Sequence, residues 1–89
     1  MRAVITVVGK DAVGIIAEVS NVLKNRGVNI IDITQSVISD MFAMVMMADI
    51  SSCTVAFVDL AEELRVLGTN LNLDIHAMHE DIFNSMHRI

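Results

Sequence analysis

The chain has 89 residues, 54% of them apolar and 19% charged, with a net charge of −5. That length predicts one domain, near the lower limit for folding on a single core. There is no basic run, Trp or Tyr and only three Phe, which argues against a nucleic-acid binder.

Residues 2–8, RAVITVV, alternate and are rich in β-branched residues, which predicts a strand. A loop is expected over Gly9 to Val13. From Gly14 to Arg26 the pattern is helical: Ile15, Ile16, Val19, Val22 and Leu23 share one side, and Glu18, Asn21, Lys24 and Asn25 the other. Asp11 is the N-cap candidate, Lys24 and Arg26 complement the helix dipole, and Gly27 is the natural C-cap.

Asn29–Ile38 alternates again, with Ile31, Ile33 and Val37 opposite Asp32, Thr34 and Ser36. Ser39-Asp40 reads as a tight turn, with Asp as the residue tolerant of left-handed geometry. Met41–Ile50 is the return strand, apolar on both faces almost to its end, which predicts cover on both sides. After SSCT, a second helix places Phe57, Leu60, Ala61, Leu64, Leu67 and Leu71 at helical spacing, with Gly68 weakening or ending its last turn. Leu73–Asp81 alternates Leu73, Ile75 and Ala77 inward with Asp74, His76 and Met78 outward. The tail, residues 81–89, has room for about two helical turns, too short to stand undocked.

The order is β-α-β-β-α-β: an α+β, ferredoxin-like sandwich with a four-stranded antiparallel sheet and two helices on one face. The second face would carry Val4, Val8, Ile38, Met78 and half of the Met41–Met47 row. So apolar a surface on so small a chain predicts a homo-oligomer, most simply a dimer.

Three chemistries find little support. The single Cys53 excludes an internal disulfide and a multi-cysteine zinc site, and reads as a small hydrophobe. His76 and His79 face opposite sides of a strand, and His87 could join His79 only if the tail folds back, so no metal centre is expected. No Ser-His-Asp, Cys-His or paired-carboxylate arrangement converges, so no catalytic residue is assigned. No apolar run reaches the roughly 18–20 residues of a membrane helix. The N-terminus lacks the pattern of a signal peptide, and the expected location is the cytoplasm.

The opening loop, VVGKDAVGII, remains. With Asp11 as cap, the amides near Ala12, Val13 and Gly14 would face outward at the positive end of a helix dipole, where a carboxylate or phosphate is favoured. Gly14 lacks a Cβ and allows close approach. The same glycines also suit a plain turn and close packing. The phosphate-cradling GxxxxGK[ST] pattern is absent. Polar Asn29, Asp32, Thr34 and Gln35 fit either a solvated face or contacts to a ligand held by that loop.

These residues carry a resemblance. ITVVGKDAVGIIAEVSNVLKNRGVNIIDITQSV resembles the opening of an ACT domain, the small-molecule-sensing module of amino-acid metabolism. The marks are Asp11 and Gly14-Ile15 after the first strand and Gly27-Val28-Asn29-Ile30 after the helix. The ending HEDIFNSMHRI is similar to that of short stand-alone ACT proteins related to the regulator of the glycine cleavage system. The resemblance implies an interfacial amino-acid site. Asp11, Ala12, Val13, Gly14 and Ile15 of one subunit would meet Asn29 and Ile30 at the second strand, often of the neighbour, with Asp32 a further candidate for the ligand's amine. Val13 replaces the family's usual proline, which implies a less rigid loop. The function expected is a non-catalytic sensor without cofactor that acts on a target protein. The alternative is a ligand-free module that docks through its sheet face.

Overall fold

The computed structural model describes residues 1–10 and 14–86. The elements are β1 (Arg2–Gly9), α1 (Ile15–Asn25), β2 (Asn29–Ile38), β3 (Met41–Asp49), α2 (Phe57–Leu71), β4 (Asp74–His79) and α3 (Glu80–Met86). The four strands form an antiparallel sheet in the order β2-β3-β1-β4. The expected ferredoxin-like architecture is the one observed.

Alternation decides the layers. Ala3, Ile5 and Val7 of β1, Phe42, Met44, Met46 and Ala48 of β3, and Ile75 of β4 are buried in one cluster. Ile15, Val19 and Leu23 of α1 and Leu60 and Leu64 of α2 belong to the same cluster. Both long helices therefore lie on one face. Gly68 does not end α2. It is buried within the helix, and a Cβ there would stand 2.7 Å from the Leu73 carbonyl oxygen. The glycine lets α2 approach β4. Leu71, expected in the core, is 38% exposed.

The end of α1 follows the expected glycine rule. Gly27 has φ +75. Its amide donates to the Lys24 carbonyl at 3.1 Å, and the Val28 amide donates to the Leu23 carbonyl at 2.9 Å. These two bonds are those of a Schellman C-cap. Two other left-handed positions differ from expectation. In the β2–β3 turn it is Ser39 (φ 59), not Asp40, and Asn72 (φ 58) caps α2.

The other sheet face does not have the full cover expected for β3. Val45 and Met41 are each 41% exposed, Val8 is 37% and Ile38 68%. Val4 is the exception at 1%. It pairs with Met47 and Met78, at the sheet end where α3 packs against β1 and β4. An Arg2–Glu80 ion pair ties α3 to β1. His79 rests on Phe57 with ring centroids 4.2 Å apart.

Candidate functional site at the ends of the sheet

Gly14 immediately precedes α1 and is its N-cap, in place of the expected Asp11. Asp11, Ala12 and Val13 lie outside the described residues, as does His87. The reason for the shift is backbone geometry. Gly14 has φ +77, a left-handed conformation that costs a glycine almost nothing. Its carbonyl accepts the first helical bond, from the Glu18 amide at 3.0 Å. Gly14 has no side chain to cap the first amides of α1. It is exposed, and a Cβ there would meet nothing within 4 Å. Among the described residues, the space beside the Gly14 Cα is therefore open. Ile15, by contrast, is 3% exposed. Its side chain belongs to the core, so only its backbone is available to a ligand.

The second half of the expected site lies elsewhere. Asn29 begins β2 and pairs with Asp49, which pairs with Arg2. Gly9 pairs instead with Phe42, which pairs with Val37, at the opposite end of the sheet. Helix α1 carries the chain between these ends. Its 11 residues span about 16 Å at ~1.5 Å each. Gly14 and Asn29 are therefore separated by the length of a helix within one chain.

A bulge sets the orientation at the β2 end. Ile30 pairs with Ala48 and Asp32 with Met47, leaving Ile31 as the extra residue. Ile30 packs against the core. Asp32 shares the open face with Met47, is exposed, and has no ion pair among the described residues. Strict alternation already sets Asp32 opposite Ile33 and Val37, as observed; what the bulge shifts is Ile30, which turns to the core face instead of sharing the face of Asp32. Beside Asn29, two hydrogen bonds from Ser51 hold the Asp49 carboxyl below its ordinary range. One of them, from the Ser51 amide, is 2.9 Å long.

His76 and His79 do lie on opposite faces, paired with Thr6 and Ala3. The described residues contain no cluster of three His, Cys, Asp or Glu able to hold a metal. Cys53 is half-buried against the core.

Residues 2–78 match the family model of the ACT domain. The chain belongs to the ACT domain family. A UPF0237 protein of Clostridium perfringens is 51% identical over 89 residues, covering all of both chains. An ACT domain protein from Streptococcus pneumoniae is 40% identical, superposes with a TM-score of 0.82, and matches over 93% of each chain. A protein described as a glycine cleavage system transcriptional repressor is 29% identical with a TM-score of 0.69. This match covers 86% of the present chain and 44% of that one. ACT domains are typically regulatory, ligand-binding modules, and they commonly dimerise. No described helix is long and apolar enough to cross a membrane.

Proposed function

We propose that this ACT domain is a non-catalytic sensor that binds an amino acid, or a similar small carboxylate, between two copies of itself. The ligand's carboxylate sits at the start of α1, at Gly14, and its amine meets Asp32, Asp11 or a carbonyl oxygen. The observation that carries this reading is the separation of the two half-sites. Gly14 and the Asn29–Asp32 segment are a helix length apart, so one chain cannot close the site, but a neighbour's β2 can supply what is missing.

Strand β2 suits that role. It is a ten-residue edge strand with Ile31, Ile33, Val37 and Ile38 all more than a third exposed. It contains neither Pro nor Lys, the usual devices that keep an edge unpaired. Ligand binding across such a joint changes the association of the copies, or their affinity for a target protein, by a coupling free energy.

The test is a thermal melt against each of the twenty amino acids. A ligand at 100 times its dissociation constant adds about 2.7 kcal/mol, several degrees for a domain of this size. Gly14→Asp places a carboxylate where the ligand's should sit, and should abolish the shift. Gly14→Asn, uncharged and tolerant of the same backbone, should retain most of it. Flat melts throughout would instead favour a ligand-free module docking through the open face around Val45 and Ile38.

A further inference from the structure

A second concave surface lies at the Gly9 end of the sheet and is built by one chain alone. It is an open cleft of about 470 Å³ between the end of β1, the start of β3 and the α2–β4 corner. Three backbone positions shape it around Leu73. A Cβ on Gly9 would collide with the Leu73 side chain, and one on Gly68 with the Leu73 carbonyl. Asn72 turns the chain in a left-handed conformation. The Leu73 amide then closes the corner on the Gly68 carbonyl at 2.8 Å. The floor is thereby fixed while the walls stay exposed.

The walls carry complementary chemistry. Lys10 and Asp74 both line the cleft, and neither makes an ion pair among the described residues. They flank exposed apolar surface from Val8 and Met41. Asn72 adds an exposed carboxamide. A cation and an anion that line one apolar groove without pairing match a zwitterion with an aliphatic side chain.

We propose that this cleft is a separate binding site for an apolar α-amino acid. Lys10 receives the carboxylate, Asp74 receives the ammonium, and Val8 and Met41 cover the side chain. The site differs from the interfacial one in needing no second copy and neither Gly14 nor Asp32.

The probes are L-leucine, 4-methylpentanoate, which lacks the amine, and 3-methylbutylamine, which lacks the carboxylate. Titrations followed by amide chemical shifts should show L-leucine moving Val8–Lys10 and Thr69–Asp74. Each truncated probe should bind about tenfold more weakly, because one charge-assisted contact is lost. Lys10→Met and Asp74→Asn alter exposed side chains, so the fold should persist. Each should cost L-leucine about tenfold in affinity, while Gly14→Asp leaves it unchanged at these amides. Shifts confined to Gly14–Ile15 and Asn29–Asp32, with the cleft silent, would overturn the cleft and leave the interfacial site standing. Equal binding of all three probes, or no response in the cleft, would also overturn it.

Discussion

The two faces of the sheet use the same residue types differently. On the helix face, Met44 and Met46 are buried under α1 and α2, at 1% and 0% exposure. On the other, Met41 and Val45 alternate with them along the same strand and remain 41% exposed. Hydrophobicity alone therefore does not say which residues hold this monomer together. The helix face provides stability, whereas the open face around Val45 and Ile38 and the β2 edge are left free for the assembly proposed above.

Substitutions on the two surfaces should separate these roles. Leu64→Ala removes a side chain with no exposure and should cost about 2–5 kcal/mol in urea denaturation. Val37→Ala on the β2 edge, 71% exposed, should stay within about 0.5 kcal/mol for the monomer, yet weaken association in sedimentation. Equal losses of monomer stability would erase the distinction between the faces.

The glycines sharpen the comparison at smaller scale. Gly27 has a positive φ, and a Cβ there would stand 2.7 Å from the Ser52 carbonyl oxygen. Gly27→Ala should cost about 2 kcal/mol or more, through strain and collision together. Gly14 has the same backbone sign, but among the described residues nothing stands where its Cβ would be. Gly14→Ala should cost only about 1 kcal/mol. Thermal denaturation of the two variants would compare a structural glycine directly with one proposed to face a ligand.

The smallest effect is electrostatic. Hydrogen bonds from Ser51 lower the Asp49 pKa, and a hydrogen bond from Arg65 lowers that of Glu62. A carboxyl whose folded pKa is depressed favours the native state above its unfolded value, and loses that contribution as pH falls through the folded value. Stability should therefore decline slightly below the ordinary carboxyl values of 3.8 and 4.5. Salt should mute the effect at these exposed groups. Asp49→Asn should flatten the acid limb of a stability-versus-pH curve slightly; an unchanged limb would remove Asp49 from the account.

Much of this organisation was legible in the residue pattern. The alternation of Ala3, Ile5 and Val7, the helical spacing from Ile15 to Leu23, and Gly27 as a stop gave the element order and the helix-covered face. Conformational details were less accessible. The bulge at Ile31 leaves no compositional mark, because Ile suits a strand on either side of it. Ser39 adopts the left-handed position beside an Asp that was a better candidate by propensity. Asn72 is readable in principle, since Asn is the second choice after Gly for a helix C-cap, but Gly68 upstream is the stronger stop by residue type. The candidate site was legible as a set of residues and not as a place. Periodicity assigns Gly14 and Asn29 to the two ends of one helix, yet only the sheet register shows that Asn29–Asp32 lies on an edge strand, at the end of the sheet away from Gly9. The cleft at Lys10 and Asp74 was invisible in sequence, because it depends on Gly9 and Gly68 bringing distant segments onto Leu73.

The central claim is that the interfacial site takes its loop from one copy and its β2 from another. Subunit mixing tests it most directly. Gly14→Asp damages the loop half and Asp32→Ala the strand half, so neither variant alone should show amino-acid-dependent stabilisation in a melt. After the two are unfolded together and refolded as a mixture, mixed dimers contain one undamaged site. The account predicts that the ligand-dependent shift returns in part, in proportion to the mixed species. A mixture that responds no better than either variant alone would contradict a site shared between copies.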